Sequence, residues 1–203
     1  MKGIGPQWND VAADVFREIG NIGASHAATA LSVLLRGEVR VSVTSARIVP
    51  LAEVATSVGG EEQIVAGVFI RFSGFVRGSV LLVLQLPSAQ QWVSQLLGRE
   101  VTLLSMDELE QSTLAELGNM LSGAYLNSLA QWVGQQVRPE VPGVSVDMAG
   151  AILDTVLSPI GEVSNFVILI DTTIAQRDAT LGCHLFLLPD PDSAELLLKA
   201  LGA

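Results

Sequence analysis

The sequence holds one cysteine, Cys183, and two histidines in 203 residues. One thiol closes no internal disulfide, and so few His and Cys donors nearly exclude a His/Cys zinc site within the chain. Cations are scarce as well: 11 Lys and Arg stand against 21 Asp and Glu, a net charge of −10. Such a surface repels a phosphate backbone and an anionic bilayer, which argues against nucleic-acid binding and lipid association. The longest apolar run, Val80 to Leu86, is broken by Gln85. A membrane-spanning helix needs roughly 20 apolar residues in succession, and no apolar stretch follows Lys2 to make a secretory signal. A cytoplasmic protein without membrane insertion is expected. There is also no Walker A loop, no GxSxG elbow and no His/Cys pair suited to nucleophilic catalysis. What the chain does have is apolar residues, 49% of it. At this length that predicts one packed domain or two small fused ones.

The pattern along the chain is a repeat. A helix is expected from about Trp8 to Leu35. Val11, Val15, Ile19 and Ile22 project onto one stripe that His26 and Thr29 continue. Asp14, Glu18, Asn21 and Ser25 form a narrow polar stripe beside it. Strands are expected at Val39–Val43 with Ile48-Val49, at Ile64–Phe72 and at Gly78–Leu86. A short helix follows to Leu97 and stops at Gly98. Then the order restarts. A long helix runs from Met106 to about Gln136 with Ser105 as its cap. A strand or two lies within 141–157, with further strands at Asn165–Ile174 and Thr180–Leu188. Asp192 or Ser193 opens a final helix. Glu18-Ile19-Gly20-Asn21 answers Glu116-Leu117-Gly118-Asn119 at an offset of 98. A period this long is too great for a solenoid and implies two related halves, about 8–100 and 105–202. The expected fold is α/β, of the α+β type. Two pseudo-symmetric halves share a mainly antiparallel sheet, and two long helices carry the motifs.

Each long helix carries a polar trio at the same place, Asp14, Glu18 and Asn21 in the first half and Ser112, Glu116 and Asn119 in the second. Spacings of four and three put each trio on one helix face. Gly20 and Gly118 sit inside the trios, where a glycine costs about 1 kcal/mol relative to alanine. Close approach of another backbone would explain that. A carboxamide is a poor base, but it can hold a water molecule by one donor and one acceptor. Positioning water in line with phosphorus is the work that phosphoryl hydrolysis requires. A nearby carboxylate can instead pair with a cation on a partner. Without a nucleophile constellation of its own, the chain is read as completing a site that another protein carries. His26 and His184 read as satisfied core histidines and Cys183 as a small buried residue. Trp8, Trp92 and Trp132 read as packing anchors.

The pattern [DS]-x3-E-x2-N, then 22 residues and a proline, resembles the signature of the CheC/CheX/FliY chemotaxis phosphatases. Asn119 is followed by 22 residues and Pro142, whereas the corresponding position after Asn21 is Thr44. The stretch from Glu18 to Ser32 resembles the family's first helix, and the likeness extends over about residues 8 to 202. Two motif copies without a switch domain resemble the CheC branch. The resemblance implies hydrolysis of the aspartyl phosphate of the response regulator CheY. Asn21 or Asn119 would orient the attacking water and Glu18 or Glu116 would pair with a lysine of CheY. Asp14, Ser112, Gly20, Gly118 and Pro142 would play supporting parts. The Mg²⁺ would be held by CheY, with no metal or cofactor bound by this chain. The deamidase CheD is a second partner implied by resemblance alone. The alternative is a non-catalytic adaptor or sink for phosphorylated CheY or CheD. A small-molecule hydrolase would need a deep pocket with converging polar groups.

Overall fold

In the computed structural model, residues 6–161, 166–176 and 179–200 are described. Helix α1 (Pro6–Leu34) leads into strand β1 (Arg40–Pro50). A 3-10 turn and the short helix α2 (Val54–Ser57) precede the hairpin of β2 (Ile64–Gly74) and β3 (Gly78–Gln85). Helix α3 (Leu86–Leu97) follows, with Pro87 in its first turn and Gly98 taking the left-handed cap at φ 66°. The second half runs through α4 (Glu108–Val133), β4 (Val137–Pro139), β5 (Gly143–Met148) and α5 (Ala149–Gly161). It closes with β6 (Phe166–Gln176), β7 (Ala179–Pro189) and α6 (Pro191–Ala200).

The strands form one seven-stranded sheet in the order β1-β6-β7-β3-β2-β4, with β5 also paired to β2. Every described pairing is antiparallel. The order reads alike from both ends when β1 is exchanged for β4 and β5, β2 for β6, and β3 for β7. Each half therefore lends its first strand to the other half's hairpin: β1 pairs with β6, and β5 pairs with β2. The helices repeat the exchange. A Cβ on Gly20 would meet Ile170 of β6 as well as Val43, and one on Gly118 would meet Val68 of β2. The two halves interleave and share one core.

That core lies mainly between one sheet face and α1, α3, α4 and α6, centred on Phe16, Leu31, Ile70, Leu82, Trp92, Leu114 and Leu126. Covering of one apolar face by helices matches the expectation. The other face is covered too. A second cluster joins Val54 and Val58 to Leu81, Phe186, Ala149, Ile152 and Leu153. The main helix over this face is α5, where the sequence reading put only strand. The strand expected within 141–157 ends at Met148. Ala149, Ile152, Leu153 and Val156 then fall at helical spacing and pack onto the sheet.

Three local readings are corrected. The cap of α4 is Asp107, not Ser105: Asp107 Oδ1 accepts from Glu110 N at 2.8 Å while Glu110 Oε2 accepts from Asp107 N at 3.1 Å. This reciprocal capping box starts the helix two residues later than expected. Trp92 is buried, but Trp132 is 42% exposed and anchors no core; the side chain of Trp8 lies outside the described residues. The core stripe of α1 is Ala12, Phe16, Ile19, Ala27 and Leu31, while Val11, His26 and Thr29 face solvent.

Candidate functional site

The trios lie opposite the core stripes of their helices. Asp14, Glu18 and Asn21 each stand two residues from a buried position (Ala12, Phe16, Ile19), about 200° around the helix. The polar stripe is thus across from the core, not beside it. On α4 the buried line is Leu114, Leu117, Leu121 and Tyr125, and Ser112, Glu116 and Asn119 face away from it. Glu18, Asn21, Glu116 and Ser112 are exposed and Asn119 is half-buried. Both helices lie on the same side of the sheet and pack against one another, with Gly23 against the backbone of Tyr125 and Ala124.

The glycines explain how the helices can lie so low. A Cβ on Gly118 would come within 2.5 Å of Val68 Cγ1, and one on Gly20 within 3.0 Å of Val43 Cγ2. The close neighbours are side chains of the sheet, not the backbone expected from the sequence. Backbone approach occurs instead at Gly23, where a Cβ would stand 3.0 Å from Tyr125 Cα.

The trio side chains are almost free. Among the described residues, only Asp14 is engaged, through an exposed ion pair with Arg17 Nη2 at 3.0 Å. No hydrogen bond or ion pair engages the side chains of Glu18, Asn21, Ser112, Glu116 or Asn119 among the described residues. Their donors and acceptors are turned to solvent and available to another molecule. A cavity of about 650 Å³ lies elsewhere, between β2, β3, β5 and α5 on the opposite sheet face, and contains none of the six. The structure brings the members of each trio together on a helix but does not gather the two trios into one pocket.

The proline position becomes intelligible in the register. Phe72 pairs with Pro139 and Phe69 with Gly143, three steps on β2 against four on the partner. One extra residue is thereby accommodated around Pro142, between β4 and β5. In the first half Val43 pairs with Thr172 and Ser45 with Asp171, leaving Thr44 as the extra residue. Thr44 and Pro142 are 98 positions apart; Thr44 is the extra residue of its ladder, and Pro142 lies in the three-residue break between β4 and β5 that carries one extra residue.

The sequence reading missed a polar cluster on the other face. Asp171 Oδ2 accepts from Ser45 Oγ at 2.6 Å and Arg47 Nη2 at 3.0 Å, and Asp171 Oδ1 stands 2.7 Å from His184 Nδ1. Burial opposes ionisation of Asp171, yet the bonds from His184, Ser45 and Arg47 outweigh it and hold its carboxyl at about 2. Its members are up to 139 positions apart, so no local pattern signals it. Adjacent Cys183 is fully buried, and burial pushes its thiol up to about 12. Among the described residues no group of three or more His, Cys, Asp or Glu is placed to hold a metal ion. No described helix is long and apolar enough to cross a membrane.

The comparisons bear on the same helices. The model of the CheC-like family matches residues 11–43 and 109–146. The CheY-P phosphatase CheC of Bacillus subtilis is 37% identical over 195 residues, covering 94% of this chain and 93% of the relative. FliY of Thermotoga maritima shares the fold at TM-score 0.77 and 19% identity, over 99% of this chain and 98% of that one. The CheX of the CheX–CheY–BeF₃–Mg²⁺ complex from Borrelia burgdorferi is matched at TM-score 0.52 and 16% identity, over 84% of this chain and 96% of that one.

Proposed function

Because the chain belongs to the CheC-like family, we propose that it is a CheY-P phosphatase, accelerating hydrolysis of the regulator's aspartyl phosphate. In this reading the regulator carries the phosphoryl group, Mg²⁺ and a lysine, and this chain binds no cofactor. The Asn21 or Asn119 carboxamide enters that site and holds a water by one donor and one acceptor. The water oxygen bonds to phosphorus as the bond from phosphorus to the aspartyl oxygen breaks, releasing the carboxylate and inorganic phosphate. Glu18 or Glu116 pairs with the lysine and fixes the helix in register. Gly20, Gly118 and the bulges at Thr44 and Pro142 support the helices, and Asp14 and Ser112 shape the entrance to each trio. The halves are proposed to be homologous and the protein cytoplasmic, where a soluble regulator would meet it.

The observation that supports this reading most is the combination of exposure and freedom at the trios. A self-contained hydrolase gathers its polar groups in a pocket, whereas here they stand on convex helix faces. Among the described residues five of the six, all but the Arg17-paired Asp14, have no internal partner, and such groups suit insertion into a concave site on another protein. The water-positioning part is worth on the order of 10²-fold or more in rate, as for other oriented catalytic groups.

The test is the decay of phosphorylated CheY in Mg²⁺ with and without the protein. Acceleration is expected, with Asn21→Ala and Asn119→Ala each reducing it and the double variant nearly abolishing it. Binding with unchanged decay would replace this reading by that of an adaptor or sink.

A further inference from the structure

Each trio is part of a longer line of residues. Steps of three and four continue it backwards by one position, giving Val11-Asp14-Glu18-Asn21 on α1 and Leu109-Ser112-Glu116-Asn119 on α4. The added position is aliphatic in both, and it is open to solvent in both: Val11 is 52% exposed and Leu109 57%. One exposed aliphatic residue on a protein surface carries no information. Two at the same step of two equivalent stripes, in helices whose core lies on the far side, call for a function.

We propose that Val11 and Leu109 are docking anchors, the apolar contacts by which each helix seats on the phosphorylated regulator. The proposal rests on the phosphatase reading for the identity of the occupant, and its patch is continuous with the face that reading assigns to the regulator. The geometry suits such a contact. Ten residues separate the anchor from the asparagine, which is about 15 Å along the helix. A protein–protein interface of ordinary size covers about 800 Å² per partner, a disc of roughly that radius. The anchor therefore falls inside the footprint of a regulator whose phosphoryl group meets the asparagine. It lies too far away to touch the reacting atoms. Polar groups alone would align the helix weakly, because exposed ion pairs contribute little in water. An aliphatic contact adds affinity without changing the chemistry.

Both anchors are also safe to alter. Leu109 is in the first turn of α4, held by the capping box of Asp107 and Glu110, and Thr113 Oγ1 bonds only its carbonyl, at 2.7 Å. Its side chain enters no core cluster, and neither does that of Val11.

The experiment isolates each site. Leu109→Ala is introduced into Asn21→Ala, and Val11→Ala into Asn119→Ala, and initial rates are measured over a range of phosphorylated CheY. KM is expected to rise about three- to tenfold with kcat unchanged, since truncation removes part of a burial worth the same factor. Leu109→Met should restore KM. Val33→Ala, at a 77% exposed position near the other end of α1, should leave it unaltered. Dissociation constants of the Val11→Ala/Leu109→Ala double variant, in which neither face keeps its anchor, for CheY activated with beryllofluoride and Mg²⁺ provide a readout independent of turnover. If KM and the dissociation constant stay within experimental error, or if kcat alone falls, the anchors are refuted while the phosphatase reading stands. If the unmodified protein binds activated CheY without speeding decay, and the anchor variants weaken that binding, the anchors hold and the phosphatase reading falls.

Discussion

Gly118→Ala is the substitution whose outcome the structure defines most sharply. In an exposed helix interior the change stabilises by about 1 kcal/mol, because alanine loses less backbone freedom than glycine on folding. Here a Cβ would stand 2.5 Å from Val68 Cγ1 and 2.7 Å from both Cβ and Cγ2. Carbon atoms prefer separations of about 3.5–4.0 Å, so a gap of about 1 Å has to open. Val68 is fully buried in β2, a strand hydrogen-bonded on one side to β3 and on the other to β5. Its branched side chain is stiff at χ1, so a rotamer change gives little relief. Overpacking of this kind costs about 1–3 kcal/mol. With the gain in helix propensity set against the upper part of that range, the net loss is about 1–2 kcal/mol. Gly20→Ala is the built-in comparison. Its nearest contact is 3.0 Å, to one methyl of half-buried Val43 beside the bulge, and the two effects nearly cancel. Urea unfolding midpoints measure both. The mechanism is isolated by combining Gly118→Ala with Val68→Ala, which removes the methyls in the way. The pair should be no less stable than Val68→Ala alone, with a coupling energy above about 1 kcal/mol. If Gly118→Ala is as stable as the parent, or if its cost is the same with and without Val68→Ala, the argument from close approach is wrong. Activity adds a second readout. A displaced α4 moves Asn119 and spares Asn21, so the remaining phosphatase activity should become more sensitive to Asn21→Ala.

Two further outcomes follow from buried polar groups. The phenol oxygen of Tyr125 is buried without a hydrogen-bond partner among the described residues, so Tyr125→Phe should raise stability by about 1 kcal/mol; a loss of that size in thermal or chemical unfolding would reveal an unrecognised partner. Asp171 titrates at about 2 in the fold against an ordinary 3.8. A depressed carboxylate stabilises above its unfolded value, and this contribution drains away as pH falls from about 4 to about 2. Asp171→Asn should therefore lose about 1 kcal/mol at neutral pH, after allowance for solvent screening, and flatten the stability curve in that window. An unchanged acid limb would count against the Ser45–Arg47–Asp171–His184 cluster.

The trios were legible because charge is rare in this chain and their spacing matches a helix face. The order of the elements was legible because each has its own local pattern of apolar spacing and breakers. The core stripe of α1 was not, and the reason is size. Small residues, Ala12, Gly23 and Ala27, alternate there with Phe16, Ile19 and Leu31; Gly23 lets α4 approach closely, and the small residues carry little of the hydropathy signal. The larger Val11 and Ile22 drew the stripe towards the solvent side. The start of α4 was misread for a different reason. Ser105 and Asp107 are both acceptable caps, each with a glutamate three positions on (Glu108 and Glu110), so the capping-box pattern fits both, and the fold closes the box at Asp107 and Glu110. α5 was lost because its apolar spacing begins immediately after a strand, with no breaker between Met148 and Ala149.

The missing proline of the first half is a matter of backbone shape. In a bulge the extra residue faces no partner across the ladder, so its N–H is dispensable and proline is tolerated there. Proline at 142 fits that place between β4 and β5, but the bulge does not depend on it. In β1 the same one-residue slip occurs at Thr44, whose Oγ1 donates to the carbonyl of Asp171 at 3.1 Å. A side-chain bond across the ladder fastens in one half what a rigid ring accompanies in the other. Pro142 alone is therefore weak ground for ranking the second site above the first, since the ladder gains one residue in both halves. Besides the Asp14/Ser112 exchange and the half-burial of Asn119, the sites differ in the charge beside each trio: Arg17 pairs with Asp14 next to Glu18 and Asn21, while Ala115 takes the position of Arg17 on α4. On this argument Asn21→Ala and Asn119→Ala should cost comparable shares of activity. Any inequality should shrink in Arg17→Ala, and one that persists there at tenfold or more would return the weight to the proline.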